Sequence, residues 1–256
     1  MKSISFKKNC NVENLTIGTY IVEDLSITLK EYVDKFPVSL QIVRMPERQG
    51  LIRARLKGAR KAKAEVLVFL DAHMEVTVGW LEPLLSEISS DRTRVSLPVI
   101  DNINSETFEY TRVENDRMRS GFNWKLRHVW LEPDERKGTL SGEDNERADA
   151  FPSPVMIGGL FAIDREFFWK SGSYDKQMLF WGGENVEMSL RVWRCGGSLM
   201  VVPCSHVGHV YRSITPYSVP GSLSEKLYRP TINTARAAEV WLDDYKYFYY
   251  DLNPGN

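Results

Sequence analysis

The stretch Glu65-Val-Leu-Val-Phe-Leu-Asp-Ala-His73 decides how the chain is read. Its first six residues form an almost unbroken apolar run, the pattern of a strand covered on both faces of a parallel sheet. Asp71 and His73 follow at once, where open α/β sheets bind ligands beyond the carboxyl ends of their strands. On extended backbone these two side chains point the same way, because strand residues alternate with period two. A carboxylate and an imidazole on one side can share a divalent ion. Taken alone, the triplet reads better as a strand-end Asp capping the next segment beside a surface His.

Working outward, strand-like and helix-like segments alternate on either side. Leu15 to Val22 and Ser39 to Val43 read as strands, rich in β-branched and aromatic residues. Between them Ser26 caps a helix with Leu29, Tyr32, Val33 and Phe36 at helical spacing. Gly50 to Lys63 reads as a basic amphipathic helix, Trp80 to Ile88 as another, and Arg94 to Ile100 as a strand. This alternation predicts an α/β fold with a mostly parallel central sheet flanked by helices. Residues 101–154 are polar, lack a sustained period and read as an insertion in one domain spanning 1–256. Beyond it, Val155 to Ile163 is apolar again, Glu184 to Arg194 is helical, Ser198 to Val202 is a strand and Ala235 to Tyr247 is a closing helix.

Composition narrows the function classes. Of 256 residues, 33 are Lys or Arg and 34 Asp or Glu, a net charge of −1 that argues against a nucleic-acid binder. An apolar share of 43% supplies a full core, yet no run approaches the roughly 20 residues of a membrane span, and no secretory signal opens the chain. Three cysteines do not make a disulfide framework, and any pairing among Cys10, Cys195 and Cys204 stays open. The basic run Arg48, Arg53, Arg55, Lys57, Arg60, Lys61 and Lys63 reads as a solvated helix face, with Arg48 and Arg212 better placed for a nucleotide.

Three further constellations carry chemistry. His206-Val-Gly-His209 follows a strand, and His209 can complete an oxygen–nitrogen coordination sphere with Asp71 and His73; His206 reads as a structural residue or one that orients a ligand. Such a set suits Mn2+ bridging nucleotide phosphates, and equally zinc hydrolysis. In Trp181-Gly-Gly-Glu-Asn185, the Trp offers a platform for a sugar face while Glu184 and Asn185 can bond its hydroxyls. A Gly-Gly turn with Glu184 at a helix N-terminus accounts for the same letters. Gly158-Gly159 is either a strand bulge or a close approach to a diphosphate.

Together these motifs resemble the polypeptide N-acetylgalactosaminyltransferases. The matching stretches run in family order and include Gly50-Leu-Ile-Arg-Ala-Arg55, Val68-Phe-Leu-Asp-Ala-His73, Gly158-Gly-Leu-Phe-Ala162, Trp181 to Asn185, Pro203-Cys-Ser-His-Val-Gly-His-Val-Tyr-Arg212 and Ala238-Glu-Val-Trp241. The resemblance implies a GT-A type nucleotide-diphospho-sugar transferase fold. It implies Mn2+-dependent, retaining transfer of GalNAc from UDP-GalNAc to Ser or Thr of a polypeptide acceptor, in the Golgi lumen. By that resemblance Asp71, His73 and His209 hold the metal. Glu184, Trp181 and Asn185 are the expected catalytic residues, with Glu184 and Gly158-Gly159 lining the GalNAc pocket, while Asp24, Arg48, Gly158, Gly159, Arg212 and Tyr217 bind the donor. Residues 1–22 match nothing at the start of the family's catalytic domain, and no lectin domain follows, so a truncated, catalytically inactive relative acting by binding is the alternative expectation.

Overall fold

A computed structural model describes residues 15–18, 26–38, 40–131, 149–211 and 223–254. In chain order the elements are β1 (Leu15–Gly18), α1 (Ser26–Val33), β2 (Leu40–Val43), α2 (Leu51–Lys61), β3 (Val66–Leu70), β4 (Met74–Val76), α3 (Leu81–Ser90) and β5 (Arg94–Ile103). There follow β6 (Tyr110–Thr111), β7 (Arg119–Phe122), β8 (His128–Leu131), β9 (Phe151–Pro152), β10 (Leu160–Asp164), α4 (Arg165–Lys170), α5 (Glu184–Arg194), β11 (Ser198–Val210), α6 (Leu223–Trp241) and α7 (Tyr245–Leu252).

The central sheet has seven strands along the path β3-β10-β5-β11-β4, with β6 on β5 and β9 on β11. It is mixed and mostly antiparallel, which corrects the expectation of a mostly parallel sheet. Strand β10 lies antiparallel to both β3 and β5, and β4, β6 and β9 are antiparallel to their partners. Within this sheet the pair β5–β11 is parallel. The physical reason is instructive. A strand followed by a covering helix and another strand tells the direction of the two strands, and β3 and β5 do run the same way. It does not say that they are neighbours: β10, arriving much later in the chain, occupies the slot between them. The pair β1–β2 forms a separate parallel two-stranded sheet, and β7–β8 an antiparallel hairpin.

Alternate side chains of the central strands feed two cores. On one face Leu67, Phe69, Val95, Leu97, Val99, Phe161, Ile163, Leu199 and Val201 pack with residues of α2, α4, α5, α6 and α7. On the other, Leu160, Ala162, Val202 and Val207 pack against Trp80, Leu84 and Ile88 of the α3 region. Every residue of β10 is buried, as a strand in the middle of three layers must be. The Asp164 carboxylate at its end accepts from the Phe167 N–H at 2.8 Å, starting α4, a helix the hydrophobic periodicity does not announce. At the other end of the chain the single expected closing helix is broken at Asp243, whose φ of 48° takes the backbone out of the α region between α6 and α7. Cys195 and Cys204 are exposed and not joined in a disulfide. Among the described residues, no helix is long and apolar enough to cross a membrane.

Phe161 is fully buried and stacks on Phe69 with ring centroids 4.7 Å apart. Phe161→Ala is expected to cost about 3–5 kcal/mol of stability through lost burial and the cavity left behind. Urea unfolding checks this; a loss below about 1 kcal/mol contradicts the placement of β10 at the sheet centre.

Candidate metal centre

Strand direction explains how distant residues meet. β3, β5 and β11 end on the same side of the sheet, and Asp71 follows β3 directly. The chain then crosses the strand ends, and β4 turns back to pair antiparallel with the far half of β11, Met74 opposite His209 and Val76 opposite Val207. The N–H of Val210 donates to the carbonyl of His73 at 3.1 Å, locking this crossing. His73 and His209 thereby become neighbours, their ring centroids 4.6 Å apart, and the ring of Tyr211 lies 4.5 Å from that of His209. The ligand atoms of Asp71, His73 and His209 lie within 4.8 Å of one another.

A carboxylate and two imidazoles form a mixed donor set suited to Mn2+, Zn2+ or a related divalent ion. Two ligands at about 2.1 Å from one ion are at most about 4.2 Å apart, so small side-chain rotations close these three around a cation. The residues fit the group.

His206 and His209 both lie within β11, not in a loop after it. Three residues apart on a strand, they face opposite ways. His206 Nδ1 faces the buried Asp101 carboxylate at 3.0 Å, and Arg112 Nη2 meets His206 Nε2 at 2.7 Å. Because a guanidinium only donates, Nε2 accepts and the Nδ1–H donates to Asp101. Tyr110 Oη and the Val113 N–H also donate to Asp101, at 2.7 and 3.0 Å. His206 is therefore a structural histidine of the strand that carries His209.

Behind Asp71 lies a group the sequence reading placed on a solvated face. Lys57, Arg60 and Lys61 are indeed exposed, but Arg55 turns inward, its side chain 9% exposed. Nη2 donates to Asp71 Oδ1 at 2.7 Å and to the Gly159 carbonyl at 3.1 Å; Nη1 donates to the Gly158 carbonyl at 2.5 Å and to Tyr174 Oη at 3.0 Å. Burial opposes this cation, but Tyr174 and Asp71 outweigh it and hold Arg55 above its ordinary value. The signal was present in the sequence: Ile52, Leu56 and Ala59 are the buried positions of α2, and a residue at 55 belongs to the same stripe. A charge there requires a buried partner. Gly50 sets the helix in place. Its φ is +82°, and a Cβ there would lie 2.3 Å from Phe180 Cα, so only glycine lets α2 start against the 178–183 loop. The Leu51 N–H donates to the Phe180 carbonyl at 2.8 Å across this contact.

Gly158 and Gly159 precede β10, opposite the end of β3. A Cβ on Gly159 would come within 3.0 Å of both Asp71 Oδ2 and Met74 Cε, and one on Gly158 within 2.6 Å of Asn185 Cβ. The turn thus joins Asp71 to the start of α5. Asn185 donates from Nδ2 to the Met156 carbonyl at 3.1 Å, leaving Oδ1 as the amide oxygen. Glu184 is buried and accepts from the Gly182 N–H at 2.7 Å. Trp181 is 58% exposed beside them, an open apolar face. The loop is held by a residue that periodicity did not single out: the amide of Asn233 on α6 donates to the carbonyls of Leu179 and Gly182, both at 2.8 Å, and accepts from the Leu179 N–H at 2.7 Å. Arg48 lies two residues before Gly50, in the segment leading into α2. Asp24, Arg212 and Tyr217 fall outside the described residues.

Residues 16–172 match the family described as glycosyl transferase family 2. The chain belongs to that family. Residues 147–213 also match the description N-terminal domain of galactosyltransferase. Human polypeptide N-acetylgalactosaminyltransferase 13 is 50% identical over 236 residues, covering 90% of this chain and 40% of the relative. Drosophila melanogaster polypeptide N-acetylgalactosaminyltransferase 3 is 50% identical over 220 residues, covering 86% and 32%. The crystal structure of GalNAc-T7 with UDP, GalNAc and Mn2+ matches with a TM-score of 0.80 at 38% identity, over 93% of this chain and 44% of that one. The chain is thus homologous to polypeptide N-acetylgalactosaminyltransferases and spans less than half the length of those relatives. S. aureus TarS with UDP-GlcNAc, at a TM-score of 0.52 and 11% identity, shares the fold alone. The fold is GT-A-like, as the motifs suggested; the strand directions are what needed correcting.

Burial pushes the Glu184 carboxyl above its ordinary value of 4.5, against N–H donors and the attraction of Arg55. The folded chain then holds this proton more tightly than the unfolded chain. Stability contributed by the protonated group is complete below about pH 4.5 and is lost as the pH rises through the higher folded value. Glu184→Gln is therefore expected to gain melting temperature relative to wild type as the pH climbs from about 4.5 toward neutrality. Melting curves across that range check it; a pH-independent difference contradicts the buried setting of Glu184.

Proposed function

We propose that this glycosyltransferase moves GalNAc from UDP-GalNAc to the hydroxyl of Ser or Thr in a polypeptide, with retention at the anomeric carbon, using Mn2+. The observation that carries the reading is the convergence of Asp71, His73 and His209 at the ends of like-directed strands. It is supported by homology to polypeptide N-acetylgalactosaminyltransferases and by the match to the GalNAc-T7 structure with UDP, GalNAc and Mn2+.

In this reading Asp71, His73 and His209 would hold the ion. Bound there, Mn2+ supplies Lewis-acid stabilisation of the charge that grows on the UDP leaving group. The protein's own part is placement. Gly159 keeps side-chain bulk away from Asp71, and Gly158 lets the turn lie against Asn185, so that in this reading the donor approaches the backbone there. Trp181 offers its exposed face to the sugar ring or acceptor chain. Glu184, fixed by the Gly182 N–H, and Asn185, fixed by the Met156 carbonyl, present oxygens for sugar hydroxyls from a preset helix start. Arg48, Asp24, Arg212 and Tyr217 complete the donor site in the same proposal, and work in the Golgi lumen goes with it.

The test is UDP release from UDP-GalNAc with a Thr-containing peptide. Activity is expected with Mn2+, abolished by chelation and restored by the ion. His209→Ala is expected to lower turnover about 100-fold or more, as loss of a ligand to a catalytic metal does. Turnover that survives chelation, or a folded wild type inert toward UDP-GalNAc and peptide in Mn2+, contradicts the proposal.

A further inference from the structure

Four acceptors from three separate parts of the chain end on the guanidinium of Arg55. They are a carboxylate oxygen after β3, two successive carbonyls before β10 and the phenol of the buried Tyr174. Packing alone does not call for this. The neighbouring positions of α2 are apolar, and the guanidinium lies 5.9 Å from the Phe69 ring centroid, where an aliphatic side chain would pack as well. What an aliphatic side chain could not do is hold Asp71 and the Gly158–Gly159 turn in one plane. A planar five-donor fork does that; a point charge does not.

We propose that Arg55 is the positioning residue of the metal centre: by claiming Oδ1 of Asp71 and the carbonyls of Gly158 and Gly159, it reserves Oδ2 for the ion and sets the turn beneath it. This inference rests on the Mn2+ reading above and deepens it. The spatial fit supports the division of labour between the two oxygens. Oδ2 lies 3.0 Å from where a Gly159 Cβ would stand, so the same oxygen that Arg55 leaves alone is the one the glycine makes room for. Ligand orientation by such a hydrogen bond commonly governs metal affinity by about 10–100-fold.

Arg55→Lys separates the fork from the charge. It keeps a cation beside Asp71, so the electrostatic field on the ion is preserved, while one ammonium cannot span Asp71, both carbonyls and Tyr174 in the fixed plane. Tyr174→Phe is the second variant, leaving the Asp71 contact intact and removing one of the two acceptors of Nη1 while the Gly158 carbonyl keeps the other. Arg191→Lys is the control: Arg191 is another buried arginine, bound to Glu187 and to the carbonyls of Ser171 and Ser173, away from the three ligands. Binding of Mn2+ alone to the full chain is followed by loss of the free-ion EPR signal, with melting curves alongside. Arg55→Lys is expected to weaken Mn2+ about tenfold and Tyr174→Phe about threefold, while Arg191→Lys lowers the melting temperature and leaves Mn2+ affinity at the wild-type value. Wild-type affinity in a cooperatively melting Arg55→Lys protein overturns the role of Arg55. Equal weakening in Arg191→Lys also overturns it, by showing general softening. A wild-type chain that takes up no Mn2+ overturns the metal reading, and this inference with it.

Discussion

A largely desolvated ion pair at the end of β3 organises the candidate metal centre. Arg55 and Asp71 meet at 2.7 Å with side chains 9% and 20% exposed, where neither charge keeps its full hydration. Desolvation of that kind costs several kcal/mol per ion and is offset only when geometry is good and the remaining hydrogen-bonding positions are filled. Here they are filled by the two glycine carbonyls and the Tyr174 hydroxyl. Helix α2, the end of β3, the entry to β10 and the loop before Asp175 therefore cannot shift independently. Loss of either charge would strand the other, which for a buried pair typically costs about 3–5 kcal/mol.

The sheet supplies the second constraint. Strands β3, β5 and β11 deliver their last residues to one side, but β3 and β11 are separated along the sheet by β10 and β5. Asp71 and His209 meet because β4 crosses the strand ends and pairs with the outer half of β11. The register shift between Val202 and His206 is where β11 resumes its pairing with β5. Beyond it, the Asp101–His206–Arg112 network fastens the opposite side of the strand that carries His209. The convergence of Asp71, His73 and His209 is thus a property of strand pairing, reinforced by polar contacts on both sides of them.

Much of this was legible in the sequence. The apolar run from Val66 to Leu70 is a strand. Asp71 and His73 do come together, but through the turn at Ala72–His73 between β3 and β4 and not through alternation on extended backbone. The Glu184–Arg194 pattern gives α5 with the same first and last residues. His206 and His209 separate once both are placed on one strand: His206 faces Asp101, and His209 faces Asp71 and His73. What was not legible is non-local. No local pattern reveals that a strand near residue 160 inserts between two strands from the first hundred residues, so alternation was mistaken for adjacency. Arg55 was hidden among six other basic residues, although its place on the stripe of Ile52, Leu56 and Ala59 set it apart. Asn233 gave less warning still, since its role depends on a loop more than fifty residues earlier in the chain.

The most direct measurement is anomalous diffraction at the manganese edge from crystals of the chain equilibrated with Mn2+. The account requires one strong peak lying between the Asp71 carboxylate and the imidazoles of His73 and His209, with the Arg55 guanidinium still on the far oxygen of Asp71. A peak elsewhere, or none while those three side chains stand ordered, would contradict it.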